Sequence, residues 1–223
     1  MKLIIDRIIR KKKHLKGEIP LEFIGQFLPD NPIILEAGAH IGTDTLKMAT
    51  YWPHSIIHAF EPVPAVLKEL EGRIASFTNV YCYPLALSNT SGETTLFVSN
   101  GESNGSSSLL PPKEHLIIHP SVSFDEKILV KTITIDDWAR ISNIQKVDFL
   151  WLDLQGVELK VLKSGTELLK SVKVIYTEVS LVENYEGGEL YSDLREWLEF
   201  KGFRVVREEL PWVDMGNVLF VRN

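Results

Sequence analysis

Two carboxylates and a pair of glycines mark where chemistry would sit in this 223-residue chain. Pro32-Ile-Ile-Leu-Glu-Ala-Gly-Ala-His-Ile-Gly42 is an apolar run that ends in Glu36 and then bends through Gly38 and Gly42. A second apolar run, Ser55 to Phe60, ends in Glu61, 23 residues after Gly38. Strand, glycine turn, helix, strand and terminal acid make up a nucleoside-binding βαβ unit. Glycine is needed at such a turn because a ligand must come close to the backbone. The acid's spacing is near the ~20 residues at which a carboxylate reaches a ribose diol. The turn reads Glu-x-Gly-x-x-x-Gly, not the G-x-G-x-x-G that cradles a pyrophosphate. Glu36 would repel a diphosphate, but it suits a ligand carrying an ammonium or sulfonium group, as S-adenosylmethionine does.

In an open α/β sheet, ligands lie beyond the carboxyl ends of the strands. The expected strand ends are Glu36, Glu61, the Pro84–Ser88 segment, Asp153 and Glu178. Glu36 would face the amino-acid part of the ligand, and Glu61 would accept from both ribose hydroxyls. The Ala86-Leu87 backbone would face the adenine. Asp153 and Glu178 end expected neighbouring strands, ~4.8 Å apart. Carboxylates that close would raise one another's pKa and supply a general base, or bind a divalent cation through oxygen. The plainer alternative is that Asp153 orients ligand or caps the next helix while Glu178 meets a lysine. The expected catalytic residues are Asp153 and Glu178. The expected cofactor residues are Glu36, Gly38, His40, Gly42, Glu61, Ala86, Leu87 and Asp153.

His40 would touch the ligand or serve only as a turn residue tolerant of unusual φ/ψ, the reading favoured here. Thr43 and Thr45 open the next helix, where capping accounts for at least one of them. His115 and His119, four apart, have half the spacing of a metal site but no H-E-x-x-H pattern or nearby cysteine, so no metal centre is expected. Ser106–Ser108 lacks the Gly-x-Ser-x-Gly context of a nucleophile. Cys82, the only cysteine, is read as a small buried thiol in a strand. It rules out an internal disulfide and fits a reducing, cytoplasmic setting.

These residues must be positioned by alternating strands and helices, the pattern of a parallel sheet covered on both faces. Strands are expected near 33–36, 55–60, 79–84, 148–153 and 173–178, and helices near 43–51, 64–76, 157–163 and 190–201. The segment 88–134 breaks the rhythm. It has a β-rich stretch at Thr94–Val98, loop chemistry at 100–108 and an added strand at 128–134. It reads as an insert beside the site, too short for its own core. Phe203–Glu208 and Asn217–Arg222 are joined so briefly that only an antiparallel hairpin fits.

The net charge of −6 argues against a nucleic-acid partner. That charge is unevenly spread: residues 1–16 carry seven Lys or Arg against one Asp, leaving 17 basic and 29 acidic residues in the remainder. Leu3, Ile4, Ile5, Ile8 and Ile9 have helical spacing ahead of the basic cluster. An interfacial helix on anionic lipid would look like this. A two-turn stripe packing on the domain is favoured. No apolar run approaches the ~20 residues of a membrane span, and no signal peptide is evident. Residues 1–30 are taken as a basic N-terminal arm and 31–223 as one domain.

From Ile33 to Val221 the chain resembles the FkbM-type S-adenosylmethionine-dependent methyltransferases. The resemblance rests on Glu36-Ala-Gly-Ala-His-Ile-Gly-Thr-Asp-Thr45, Phe60-Glu61-Pro62, Ala86-Leu87-Ser88-Asn89 with Gly92, and Asn104-Gly-Ser-Ser-Ser-Leu109. It continues through Thr134-Ile-Asp136, Asp153-Leu-Gln-Gly156-Val-Glu158 to Gly165, and Gly202-Phe203 with Asn217–Phe220. It implies an α/β, Rossmann-like class I methyltransferase fold: a mostly parallel seven-stranded sheet whose last strand is reversed. It also implies methyl transfer to a hydroxyl of a sugar, glycan or secondary metabolite, with Asp153 taking or steering the proton. Three positions depart from the family's usual residues: Gln155 stands where Glu is commoner, His40 where Asn is, and Glu36 where Asp is. The rivals are a nicotinamide-dependent oxidoreductase, disfavoured by the missing glycine at 40 and by Glu36, and a non-catalytic protein that keeps the fold.

Overall fold

The computed structural model describes residues 17–223, so the amphipathic stretch at 3–9 and its basic cluster lie outside the described residues. In chain order the elements begin with α1 (Leu21–Ile24), β1 (Ile33–Ala37), α2 (Thr43–Tyr51), β2 (Ile56–Phe60), α3 (Pro64–Ile74), β3 (Val80–Tyr83) and β4 (Ala86–Leu87). They continue with β5 (Gly92–Gly101), α4 (His115–Ile118), β6 (Val122–Ile133), α5 (Ile135–Ile141), β7 (Phe149–Leu152) and α6 (Glu158–Lys163). The last are β8 (Val174–Ser180), α7 (Tyr191–Phe200), β9 (Phe203–Glu209) and β10 (Met215–Arg222).

Seven strands form the main sheet in the order β3-β2-β1-β7-β8-β10-β9. All neighbours are parallel except β10, which runs antiparallel to both β8 and β9. The expected hairpin is therefore present. Strands such as Phe149-Leu-Trp-Leu152 are buried throughout because both faces are covered. On one face α5, α6 and α7 bring Trp138, Leu159, Leu162, Leu194 and Leu198 against Leu35, Leu150 and Ile175. On the other, residues 19–24 and α2 pack Ile19, Ile24, Met48 and Trp52 against Ile34, Phe149 and Trp151, and α3 adds Leu67, Leu70 and Ile74 over Ala59.

Register decides which tip residues share a face. Glu36 pairs with Trp151, Trp151 with Tyr176, and Glu178 with Asn217. With a side-chain period of two, Glu36, Asp153, Glu178 and Asn217 all project to the α2 face.

The insert folds as a second sheet, β4-β6-β5, in which β5 and β6 form a long antiparallel pair. Its expected strands lengthen to 92–101 and 122–133 because each completes the other's ladder. The Thr134-Ile-Asp136 motif is a structural joint. Thr134 caps α5 by accepting the Asp137 N–H at 3.0 Å, and Asp136 accepts the N–H groups of Glu167 and Leu168 at 3.1 and 2.9 Å.

Candidate active site

The glycine turn is built by crossing backbones. The N–H groups of Gly38 and Ala39 both donate to the Phe60 carbonyl, and Asp153 N–H donates to the Ala37 carbonyl. Gly38 has φ +82°, and a Cβ there would lie 1.9 Å from the Asp153 carbonyl oxygen. Only glycine fits between β1 and the end of β7. His40, also left-handed at φ +50°, turns its N–H onto Glu61 Oε2 at 3.0 Å. Val63 N–H donates to Glu61 Oε1 at 2.7 Å. Two backbone donors thus fix the Glu61 carboxylate, leaving each oxygen a lone pair for another hydrogen bond. Burial still holds its pKa up at about 7, against the lowering effect of those bonds.

Beside this turn opens a cleft. Its walls include Gly38, His40, Glu61, Ala86, Leu87 and Asp153, six positions expected from sequence. Apolar surface comes from Pro62, Val63, Leu85, Leu109 and Val157, and the insert supplies Asn104, Gly105 and Ser107. Sequence reasoning singled out none of these wall residues individually. The signal was the 104–109 segment, quoted in the resemblance. Among the described residues no Lys or Arg lines the cleft.

Two expected cofactor positions stand elsewhere. Glu36 is 1% exposed and accepts a hydrogen bond from Thr45 Oγ1 at 2.6 Å, beneath the turn and off the cleft wall. Burial, reinforced by Asp44 and Asp153, raises its pKa to about 8. It is the anchor between β1 and α2. Gly42 (φ +80°) is the N-cap of α2 and also lies off the wall, and no side chain caps that helix. The capping role expected of Thr43 or Thr45 is therefore corrected: Thr45 binds Glu36, and Thr43 accepts from Arg73.

Asp153 and Glu178 are adjacent, as the register requires, but a third side chain joins them. Gln155 Nε2 donates to Asp153 Oδ1 and to Glu178 Oε2, both at 2.7 Å. Asp153 lines the cleft, whereas Glu178 borders a small separate cavity with Glu158 and Glu189. Burial raises Asp153 to about 6, and it raises Glu178 well above the carboxylate range, with Asp153 adding repulsion. The expected lysine partner of Glu178 is replaced by this glutamine. The cap expected of Asp153 is absent: no side chain caps α6, and Glu158 accepts the N–H groups of Leu154 and Gly156 in the loop before it.

Of the remaining candidates, His119 Nε2 lies 2.8 Å from Asp214 Oδ2 and His115 is buried against Tyr185. Among the described residues no group of three His, Cys, Asp or Glu side chains is placed to hold a metal ion. Cys82 is half-buried, and burial raises its thiol to about 11.

A mostly parallel sheet with one reversed strand, a glycine turn and an acid at the second strand end define the class I methyltransferase fold. The methyltransferase FkbM domain family matches residues 36–205, and the chain belongs to that family. It is thereby a methyltransferase. It is similar to the 2-O-methyltransferase NoeI of Sinorhizobium fredii, with 32% identity over 164 residues, covering 71% of this chain and 67% of that protein. Among solved structures it resembles the methyltransferase FkbM of Methylobacillus flagellatus at a TM-score of 0.57 and 14% identity, covering 86% of this chain and 44% of that one. It also resembles fibrillarin of Aeropyrum pernix in complex with natively bound S-adenosyl-L-methionine, at 0.53 and 15%, covering 92% and 71%. At these identities the structural matches speak for the fold alone.

Proposed function

We propose that the cleft binds S-adenosylmethionine and that the protein methylates a hydroxyl oxygen of a sugar, glycan or secondary metabolite. One observation carries the donor assignment: the Glu61 carboxylate, held by two backbone N–H groups, on the wall of a largely apolar cleft. Glu61 accepts from the ribose hydroxyls. Pro62, Val63, Leu85 and the Ala86-Leu87 segment enclose the base. When bound, the donor supplies an electrophilic sulfonium methyl. Asp153, on the same wall and half-ionised near pH 6, receives the proton of the acceptor hydroxyl. The family relation to a 2-O-methyltransferase supports oxygen as the acceptor atom. Glu36 holds the turn and makes no contact with ligand in this reading.

Replacing Glu61 with Ala removes two charge-assisted acceptors, so S-adenosylmethionine affinity measured by calorimetry falls roughly 10–100-fold. Unchanged affinity rejects the ribose role. Asp153→Asn keeps the shape but cannot take a proton. Incorporation of labelled methyl into an extract of source cells lacking the protein drops ~100-fold or more, with donor affinity little changed. Wild-type rates in that variant would place the base elsewhere.

A further inference from the structure

Gln155 stands where the family more often has an acid, and in sequence it reads only as a lost carboxylate. The structure gives it four hydrogen-bonding jobs. Its residue is 7% exposed with φ +55°, a strained setting for a side chain without glycine's freedom. The amide nitrogen spends both hydrogens on Asp153 Oδ1 and Glu178 Oε2. The amide oxygen faces the Tyr185 hydroxyl at 2.8 Å, and that hydroxyl also lies 2.8 Å from the Ser106 carbonyl. The backbone carbonyl accepts from Ser108 Oγ at 2.8 Å. Flipping the amide would point oxygen at two carboxylates, so its orientation is fixed. A glutamate here would bring acceptors only.

The geometry bears on charge as well as position. Two carboxylate oxygens on one trigonal nitrogen sit roughly 4–5 Å apart, too close for both groups to ionise freely. The groups around them add to the difficulty. Asp44 of α2 acts on Asp153, while Glu158 of α6 and Asp214 of the β9–β10 turn act on Glu178. Tyr176 and Tyr185 feel both carboxylates. Lys47 is held 2.8 Å from both Asp44 and Glu18. Burial raises both carboxyls and Asp153 adds repulsion on Glu178, so the pair favours sharing one proton.

We propose that Gln155 is the positioning residue of the transfer site. Its amide ties Asp153 to Glu178 so that the pair shares one negative charge with Asp153 held on the cleft wall, and it links that arrangement to the insert through Tyr185 and Ser108. The inference rests on the reading of the cleft as the donor site. It turns an apparent loss of chemistry into the element that selects which carboxylate acts.

The test compares Gln155→Glu with the double variant Gln155→Glu/Glu178→Gln, which restores one amide among two carboxyl groups. Calorimetry reads S-adenosylmethionine affinity, and labelled-methyl incorporation into the extract reads rate from pH 5.5 to 9. The single variant should lose ~10-fold or more in rate at pH 7.5 with donor affinity within about threefold. Its acid limb should move to higher pH, because an added carboxyl and a lost donor both raise Asp153. The double variant should regain most of the rate and the wild-type limb. A single variant with wild-type rate and limb, or a double variant no better than the single, overturns the proposal. If Gln155→Glu does not fold, Gln155→Met takes its place: similar length, no donor, and the same loss of rate expected, with wild-type rate overturning. Failure of the wild-type protein to bind S-adenosylmethionine, or to label anything in the extract, sinks the function above and this inference together. Normal binding and labelling with insensitive Gln155 variants sinks this inference alone.

Discussion

A single missing Cβ at Gly38 sets the distance between the first strand and the residue that ends β7. An added methyl would meet the Asp153 carbonyl oxygen at 1.9 Å, and neither backbone can yield without breaking the Asp153 N–H bond to Ala37. The left-handed φ adds its own strain. Gly38→Ala should therefore cost ~3 kcal/mol or more in denaturant unfolding and abolish donor binding. Gly42 shares the left-handed φ, but its obstacle is the Leu70 Cδ1 methyl at 2.4 Å, the end of a side chain that can rotate. Gly42→Ala should cost ~1–2 kcal/mol, the left-handed penalty alone, and leave donor affinity nearly intact. Equal damage from the two substitutions would refute the role given to the Asp153 carbonyl. Glu36 shows how the turn redirects a strand-end side chain. The residue two before Gly38 is at a strand end by pattern, yet the turn folds over it and Thr45 takes its carboxylate.

At the scale of elements, the insert acts as a roof fixed to the sheet by a few polar ties. Ser108 is central. Its hydroxyl donates to the Gln155 carbonyl at 2.8 Å and accepts the Leu110 N–H at 3.1 Å, while the neighbouring Ser107 and Leu109 line the cleft. Ser108→Ala strands a buried carbonyl and an N–H, so stability in urea should drop by ~1–3 kcal/mol. S-adenosylmethionine should also dissociate several-fold faster in stopped-flow measurements. An unchanged off-rate would mean the roof does not retain the donor. The strands of the main sheet were legible because burial on both faces leaves unbroken apolar runs, as in Phe149–Leu152. Glu61 was legible because strand ends carry a positional code relative to the glycine turn. Two-residue β4, four-residue α1 and α4 and seven-residue α5 were not, since each is too short to show a clear period and is held by tertiary contacts. The Gln155 network was equally hidden. Tyr185 lies 30 residues away and Ser108 lies 47 away, so only the fold brings them together.

For the whole molecule, the buried carboxyls and imidazoles pull stability in opposite directions as pH changes. Glu36 is raised to about 8, Glu61 and Glu158 to about 7 and Asp153 to about 6, each first by burial. The unfolded chain releases those protons near pH 4. A group whose folded pKa is raised stabilises fully below its unfolded value and loses that contribution as pH climbs through the folded one, so these acids weaken the fold from about pH 4 to 8. The imidazoles act in the opposite direction. His58 is lowered to about 4, and His40 and His115 are lowered too, all by burial. Their contribution is present above the unfolded value near 6.5 and fades as pH falls through the folded values. Asp137 and Glu183 sit at the surface in solvent-screened pairs with Arg140 and Lys113 and add little against these. Above about pH 6.5 the imidazoles are neutral in both states and no longer offset the acids, so the melting temperature should fall from there to pH 8.5. Glu36→Gln, which keeps an acceptor for Thr45 but has no proton to lose, should lose less melting temperature than wild type between pH 5.5 and 8.5. The difference should be about 3 °C, the shift expected of ~1 kcal/mol in a chain this size. Calorimetric scans from pH 5 to 9 on both proteins decide it. A wild-type melting temperature that climbs steadily from pH 6 to 8.5 would mean these carboxyls are ionised and well solvated in the fold. In that case the enclosed, weakly charged site described here would be wrong.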